Sequence, residues 1–367
     1  MQYPPAEPGM REEDVETPAL VLDLDAFEHN LDTMAGALIP TGVRLRAHAK
    51  THKSAVVANA QILRGAIGQC VQKVGEAEIL AWGGVRNILV SNEVVGPKKL
   101  ARLMALSRIA DVAVCVDDEA QIVAAEAAAE AAGRRLTVLV EIDVGAGRCG
   151  VTPGPEAVAL ATRIADSPHL IFGGLQAYHG SAQHIRDPEA RVAAIASASE
   201  DSRRTVEQLR QRGLDCPIVG GAGTGTFALE AGSGVYTEIQ AGSYAFMDAD
   251  YARNASPPPF RHALFVLATV MSRAVPGVAV VDAGHKAIPT DSGYPLVWER
   301  PGLAYVGASD EHGKITIGDG AAPALGEKLR LVPGHCDPTV DRFDWYVGVR
   351  KGRVECLWPI GARGMMA

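Results

Sequence analysis

Residues 43–53, Val43-Arg44-Leu45-Arg46-Ala47-His48-Ala49-Lys50-Thr51-His52-Lys53, form a strand pattern that ends in polar residues and leads at once into helix-like sequence. This is the βα unit from which parallel sheets are built. Alternation along an extended segment predicts that His48, Lys50 and His52 share one face. Lysine–histidine clusters are usually solvated basic surfaces. Here, however, Lys50 is expected at the carboxyl end of a strand, where its amine can act as a nucleophile.

The same unit recurs along the first 250 residues, where short apolar runs alternate with Ala-rich helical stretches such as Asp118–Ala132. The predicted strands are Ala19–Asp23, Val43–His48, Gly68–Val74, Asn87–Ser91, Val112–Asp117, Thr137–Val144, Phe172–Tyr178, Pro217–Gly220 and Glu238–Gly242. Strands that stay apolar throughout predict a parallel sheet covered on both faces. Two architectures satisfy this, a closed (β/α)8 barrel and an open doubly wound sheet.

Polar residues at the strand ends favour the barrel. They occur at nearly every predicted strand end rather than at a single switch point, which is typical of the rim where a TIM barrel carries its chemistry. These residues are Lys50, Gln72, Asn92, Asp117, Arg148, Tyr178, His179 and Thr224.

The sequence changes character after Tyr251. Residues 254–259, Asn-Ala-Ser-Pro-Pro-Pro, resemble a linker. The predicted strands beyond it are Leu264–Ser272, Val278–Asp282, Leu303–Val306, Lys328–Val332 and Trp345–Arg350. We therefore expect an α/β protein with a (β/α)8 TIM barrel over residues 17–253 and a C-terminal all-β domain over residues 260–367. Residues 1–16 are expected to join the β domain.

Composition excludes several classes of protein. The 367 residues are 47% hydrophobic and 21% charged, and their net charge of −8 argues against a nucleic-acid or anionic-membrane partner. The sequence has no run of eighteen apolar residues and no signal-peptide pattern, so we expect a cytoplasmic protein. Six cysteines without C-x-x-C spacing indicate neither a zinc ribbon nor a disulfide framework.

A second chemical motif, His335-Cys336-Asp337, lies near the C-terminus between Pro333 and Pro338. If the segment is extended, His335 and Asp337 project together as metal ligands while Cys336 points away. Two ligands do not close a site, and such pairs are common by chance, but the flanking prolines would pre-order this one. A reactive lysine and an open divalent metal suggest amine–carbonyl chemistry assisted by a Lewis acid.

Other segments suit an anionic cofactor. Residues 220–226, Gly-Gly-Ala-Gly-Thr-Gly-Thr, and residues 240–244, Gln-Ala-Gly-Ser-Tyr, follow the last two predicted barrel strands, where (β/α)8 barrels commonly bind phosphate. Arg148 suits either an anionic oxygen or a rim salt bridge. Tyr178 offers an aromatic ring at a strand end, and His184 on the following loop offers a base, although a lone loop histidine is usually not catalytic.

Together these motifs closely resemble the D-threonine aldolase family, which includes the D-3-hydroxyaspartate aldolases. The resemblance extends to the D-serine dehydratases and to the alanine-racemase-like, fold type III pyridoxal-phosphate enzymes. It runs in order from about residue 17 to about residue 364. The segments that carry it are Thr17–Asp23, His48–Ser54, Gln72–Glu78, Gly147–Val151, Gly174–Gly180, Ala241–Asp248 and His335–Thr339.

The resemblance implies a role for each matching residue. Lys50 matches the lysine bonded to pyridoxal 5'-phosphate, and His184 matches a histidine that faces the substrate hydroxyl. Arg148 matches the arginine near the phenolic oxygen, Tyr178 the aromatic against the pyridine ring, and Gln72 a polar contact beside it. Asp310 corresponds to an acidic residue that the β domain contributes to the cleft. The residues similar to phosphate-binding positions are Gly221, Gly223, Thr224, Gly242, Ser243 and Tyr244. Those matching the metal ligands are His335 and Asp337.

The implied activity is cleavage of D-β-hydroxy-α-amino acids of the D-threonine type to glycine and an aldehyde, in a homodimer. Related dehydratases resemble this chain but carry cysteine at the position of Asp337. A His/Asp pair is harder and suits Mn²⁺, Mg²⁺ or Co²⁺. A 3-hydroxyaspartate aldolase that releases glyoxylate, and a D-serine or 3-hydroxyaspartate dehydratase, stay open as alternatives. A non-catalytic pyridoxal-phosphate carrier would resemble the barrel half alone, so the β domain argues against it.

Overall fold

Eight parallel strands, β2 to β9, close into a barrel in the computed structural model, which describes residues 3–319 and 321–367. The strands in chain order are β1 (Ala19–Asp23), β2 (Arg44–His48), β3 (Gly68–Val71), β4 (Asn87–Glu93), β5 (Asp111–Val116), β6 (Leu136–Glu141), β7 (Leu170–Ala177), β8 (Ile218–Gly221), β9 (Glu238–Ile239), β10 (Leu264–Ser272), β11 (Val278–Val281), β12 (Leu296–Val297), β13 (Leu303–Ala308), β14 (Gly313–Ile317), β15 (Lys328–Val332), β16 (Trp345–Arg350) and β17 (Arg353–Pro359).

The helices in chain order are α1 (Leu24–Leu38), α2 (Ala55–Ile62), α3 (Val74–Trp82), α4 (Pro97–Leu106), α5 (Glu119–Ala132), α6 (Pro155–Ala165), α7 (Pro188–Gln211), α8 (Phe227–Gly232), α9 (Ala249–Ala252) and α10 (Cys336–Val340). Helices α2 to α9 follow the barrel strands, whereas α1 and α10 follow β1 and β15 of a second sheet. None of the helices in the described ranges is both long enough and apolar enough to cross a bilayer.

The barrel closes between β9 and β2, which are parallel neighbours. Across this seam the buried Arg46 guanidinium donates from Nε to Glu238 Oε2 over 2.7 Å. Inside the barrel, the amides of Gln176 and Gln240 pair at 2.8 Å. Buried charged and amide groups need such partners because an unpaired one costs its full desolvation energy. The predicted (β/α)8 barrel is confirmed.

Strand β1 corrects one part of the sequence interpretation. Ala19–Asp23 was predicted within the barrel half, but β1 lies antiparallel to β10 and parallel to β16, inside the second sheet. An apolar run looks the same in either sheet, because strands of both are buried on two faces. The barrel therefore begins with Arg44 in β2, one unit later than the sequence suggested.

The second sheet has nine strands, with the path β13-β14-β11-β10-β1-β16-β17 and with β15 pairing β10 and β12. The N-terminal segment contacts this sheet, since Gly9 donates its N–H to Val354 O and Arg330 forms a double hydrogen bond with Glu12. Met1 and Gln2 of the predicted segment 1–16 lie outside the described residues. Three strands of this sheet were not predicted: β12 has only two residues, and charged residues interrupt the apolar pattern of β14 and β17.

Candidate active site

A cavity of 530 Å³ opens at the carboxyl end of the barrel. It forms there because the loops after parallel strands all leave the barrel on that face. Of the residues singled out from the sequence, those that line it are Lys50, Gln72, Arg148, Tyr178, His184, Gly223, Thr224, Gly242 and Ser243.

The residues of the implied site that are not among those lining the cavity are Gly221, Tyr244, Asp310, His335 and Asp337. Gly221 ends β8 behind the wall. The side chain of Tyr244 is buried in the core against Phe260, with ring centroids 5.6 Å apart, so only its backbone is available for a phosphate. Asp310 lies in the exposed turn between β13 and β14. The structure thus brings together most, but not all, of the implied site.

Lys50 and Asp337 meet at the cavity. Lys50 Nζ donates to Asp337 Oδ2 over 2.8 Å. The carboxylate raises the pKa of Lys50 well above its usual value, so the amine is protonated at neutral pH. Burial alone would raise the pKa of Asp337, but the charge of Lys50 outweighs it and holds that pKa well below its usual range.

His335 lies beside this pair. Its Nε2 is 3.9 Å from Asp337 Oδ2, and its Nδ1 is 2.8 Å from Asp291 Oδ2. The segment is not extended as predicted, because His335 is the residue before α10 and Asp337 lies in the first turn of that helix. The two side chains nevertheless converge, and the Cys336 side chain is buried away from them as expected.

The alternation predicted for residues 48–52 holds only in part. Strand β2 ends at His48, and the chain then turns, so Lys50 and His48 line the cavity while His52 is buried in the protein. His48 Nδ1 accepts the Lys50 N–H, and Nε2 lies 3.0 Å from the Gln72 amide. Burial, helped by the charge of Lys50, lowers the pKa of His48 well below its usual value, so its imidazole is neutral.

His184 reaches the opposite wall from a 3-10 turn, Ser181–His184. Its Nδ1 lies 2.5 Å from Asp250 Oδ2, and Arg186 pairs with the other oxygen of the same carboxylate. Burial would raise the pKa of Asp250, but the bonds from Arg186 and His184 outweigh it and lower that pKa. An anionic Asp250 accepts a hydrogen bond from Nδ1–H of His184. The other ring nitrogen, Nε2, is then unprotonated and available as a base.

Arg148 lies 5.8 Å above the ring of Tyr178 and 3.8 Å from Glu141. Burial, together with the neighbouring Glu93, raises the pKa of Glu141 to about 8. Below that pH Glu141 is protonated and does not neutralise the Arg148 guanidinium. The positive charge of Arg148 is then available to an anionic group in the cavity.

The cavity suits a phosphorylated cofactor and a metal ion. The buried Thr224 Oγ1 has no hydrogen-bond partner in residues 3–319 and 321–367, and neither does Asp337 Oδ1. A Cβ at Gly223 would lie 2.5 Å from Gln183 Oε1, and one at Gly242 would lie 2.6 Å from His48 O. Neighbouring protein atoms leave no room for a side chain at either position, and both glycines line the cavity, where backbone N–H groups can bind a phosphate. The free acceptor of Asp337 beside His335 Nε2 suits a cation.

Two carboxylates of this site, Asp250 and Asp291, were not predicted from the sequence. Each contacts Nδ1 of a histidine of the proposed site from a distant segment. Asp250 lies in the short helix α9, and Asp291 lies in a loop of the β domain. No spacing in the sequence links either residue to its histidine, so only the folded chain reveals the pairing.

Comparison with known proteins agrees with this architecture. Residues 22–250 match the family model of the alanine racemase N-terminal domain, and residues 263–349 match the putative serine dehydratase domain. The chain is 48% identical to 3-hydroxy-D-aspartate aldolase of Paracoccus denitrificans over 98% of its own length and 95% of that protein's. It is 47% identical to D-threonine aldolase of Arthrobacter sp. over 98% and 96% of the two chains.

A solved structure is similar throughout. The crystal structure of D-threonine aldolase from Filomicrobium marinum superposes with a TM-score of 0.98 at 51% identity, over 99% of this chain and 100% of that one. With an alanine-racemase-like barrel, a serine-dehydratase-like β domain and near full-length identity to both aldolases, this chain belongs to the D-threonine aldolase and 3-hydroxy-D-aspartate aldolase family.

Proposed function

We propose that this protein is a carbon–carbon lyase that cleaves D-β-hydroxy-α-amino acids of the D-threonine type to glycine and an aldehyde. Lys50 would hold pyridoxal phosphate, and His335 and Asp337 would hold a divalent metal. The observation that carries the proposal is the 2.8 Å contact between Lys50 Nζ and Asp337 Oδ2. It supports the proposal because it brings the amine proposed to hold the cofactor into contact with a carboxylate of the proposed metal pair, as metal-assisted amine–carbonyl chemistry requires.

The chain supplies distinct groups to each part of the substrate. When bound, the cofactor withdraws electrons from the α-carbon and the metal lowers the pKa of the β-hydroxyl. His184 takes the hydroxyl proton at Nε2, directly or through water, while Asp250 holds its ring. Arg148 and Tyr178 position the cofactor ring, and the backbone and hydroxyl groups around Thr224 hold its phosphate. Loss of the hydroxyl proton drives cleavage of the Cα–Cβ bond.

The ligand chemistry supports a hard metal. One imidazole nitrogen and one carboxylate leave most coordination positions to water or substrate. Mn²⁺ is the metal we propose, with Mg²⁺ or Co²⁺ as substitutes. A softer His/Cys pair would suit zinc instead.

A homodimer is part of this proposal. Asp310 lies in an exposed turn of the β domain and does not line the cavity of its own chain. Its expected role beside the substrate therefore requires a second copy of the chain. Light scattering coupled to gel filtration should give twice the monomer mass of 38.6 kDa.

A dehydratase is the second candidate, since residues 263–349 match the putative serine dehydratase domain. The two reactions give different products, because elimination releases ammonia and a keto acid, whereas cleavage releases glycine and an aldehyde.

The deciding experiment is a product assay of the cofactor-loaded enzyme with Mn²⁺. The substrates are D- and L-threonine, D-serine and both diastereomers of 3-hydroxyaspartate. We expect glycine together with acetaldehyde from D-threonine or glyoxylate from 3-hydroxyaspartate, and the faster substrate identifies the preferred aldehyde. Ammonia without glycine would establish the dehydratase, and equal cleavage of L-threonine would contradict D-specificity. Chelation should abolish turnover yet leave the cofactor absorbance, whereas a carrier has no turnover to lose.

A further inference from the structure

The two nitrogens of His335 face different carboxylates. Nε2 points toward Asp337, at 3.9 Å from Oδ2, while Nδ1 lies 2.8 Å from Asp291 Oδ2. A carboxylate oxygen at this distance accepts a hydrogen bond from Nδ1–H, which places the proton of a neutral His335 on Nδ1.

The loop that carries Asp291 is fixed to the rest of the site. Arg253, next to helix α9, donates to Ser292 O over 2.7 Å and to Tyr294 O over 3.3 Å. Ser292 Oγ donates to Asp291 Oδ2 over 3.1 Å. The carbonyl oxygen of Gly293 packs so closely on Gly334 that a Cβ there would lie 2.4 Å from it. The three residues that follow Asp291 are thus held by contacts with the rest of the protein, and these contacts restrain the position of its carboxylate.

The opposite nitrogen has the environment of a metal ligand. With the proton on Nδ1, Nε2 carries a lone pair, and it faces the carboxylate whose Oδ1 has no hydrogen-bond partner in the described ranges. Without Asp291, a neutral imidazole could place its proton on Nε2 and lose that lone pair. Carboxylates that accept from the remote nitrogen of a ligating histidine fix its tautomer and raise its basicity.

We propose that Asp291 is a positioning residue that fixes the tautomer and ring orientation of His335, so that Nε2 is the metal-binding nitrogen. This inference rests on the proposed metal site of His335 and Asp337. Asp291 itself stays outside the coordination sphere, because its Oδ2 is bound to Nδ1 on the far side of the ring.

The test is a direct titration with Mn²⁺ of the cofactor-loaded enzyme after chelation, with free Mn²⁺ followed by electron paramagnetic resonance. Asp291→Ala should weaken Mn²⁺ binding about 10- to 100-fold. Asp291→Asn should lose less, because an amide oxygen still accepts from Nδ1–H without the charge. The matched control is Asp32→Asn, which removes one carboxylate from an exposed pair with Arg64 and should bind Mn²⁺ like the wild type.

A second measurement needs no metal. In metal-free enzyme labelled with ¹⁵N-histidine, the His335 signals, assigned by their loss in His335→Ala, should report protonated Nδ1 in the wild type and a shift toward protonated Nε2 in Asp291→Ala. Unchanged Mn²⁺ affinity and an unchanged tautomer in Asp291→Ala would overturn the role of Asp291. Wild-type affinity in His335→Ala would instead overturn the metal site itself, so the two failures are distinguishable. Circular dichroism confirms that each variant is folded.

Discussion

The amine of Lys50 and the carboxylate of Asp337 form an ion pair at 2.8 Å, although the residues lie 287 positions apart in the sequence. The pair joins the barrel to the β domain at the wall of the cavity that Lys50 lines. It also keeps the amine protonated, so the proposed bonding of the cofactor at Lys50 would require that the lysine first lose both its proton and its ion-pair partner. A cation on Asp337 would release Lys50 from that pairing, which links the two halves of the proposed site.

Replacing Lys50 with Ala should remove the visible absorbance of the bound cofactor and nearly all activity, because no other amine in the cavity wall can form the covalent bond. Absorbance spectra and glycine release measure the two effects. Lys99→Ala, on the exposed face of α4, is the control and should behave as the wild type. If Lys50→Ala kept both properties, the cofactor lysine would have to be sought at Lys53 or Lys73.

Asp337→Ala should leave the cofactor bound but remove metal-stimulated cleavage, because bonding to Lys50 needs no metal whereas activation of the β-hydroxyl does. We expect kcat to fall by about 100- to 1,000-fold, the effect of losing a few kcal/mol of charge stabilisation. Steady-state kinetics with and without Mn²⁺, beside the cofactor spectrum, check this. Asp337→Cys should move the preference from Mn²⁺ toward Zn²⁺. Full metal stimulation in Asp337→Ala would show that the ligands lie elsewhere.

Asp250→Asn should impair proton acceptance by His184 without weakening substrate binding. The amide keeps the size of the carboxylate but can donate to Nδ1 of His184, which would place the imidazole proton on Nε2, where the base must accept. We expect kcat to fall about 100-fold, within the range of general-base contributions, with KM little changed. Asp250→Glu retains the charge and should restore part of the activity. A rise in KM alone would assign Asp250 to substrate binding.

Glu230 gives a prediction on stability and pH. It is buried in α8, accepts from Thr226 Oγ1 over 2.7 Å, and burial raises its pKa to about 7. The unfolded chain releases this proton near pH 4.3, at the ordinary glutamate pKa of about that value. Between these two pKa values the folded state binds more protons than the unfolded chain. The free energy of unfolding therefore falls as pH rises from about 4 to about 7 and then levels off.

Glu230→Gln cannot ionise and should lose this dependence. The difference in unfolding free energy, variant minus wild type, should rise between pH 5 and pH 7 and stay constant above it, whatever its starting value. Urea unfolding at several pH values measures it. Glu200→Gln, an exposed residue of α7, should leave the pH profile unchanged. If the difference in unfolding free energy between Glu230→Gln and the wild type did not change with pH, Glu230 would be ionised in the folded protein.

The sequence predicts the barrel and the cavity wall because both depend on local patterns. Lys50 and Thr224 follow apolar strands, and strand ends of a parallel barrel must share a rim. The local sequence pattern gave a wrong prediction where strand pairing depends on distant parts of the chain. Ala19–Asp23 is as apolar as a barrel strand, and only its neighbours β10 and β16 assign it to the other sheet. Asp250 and Asp291 are likewise ordinary acidic residues until folding places each beside a histidine.

The position of β1 has a consequence for how the protein forms during synthesis. The strand lies between β10 and β16 in the middle of its sheet, so its two partners leave the ribosome hundreds of residues after it does. Strand pairing across so long a separation is slow, because the entropy of closing the loop is lost before the strands make any stabilising contact. The barrel can therefore form before β1 pairs with β10 and β16. If Lys50 holds the cofactor and Asp337 the metal, as proposed, cofactor bonding can precede metal binding, and a nascent chain released before residue 345 would contain the lysine without a completed β domain.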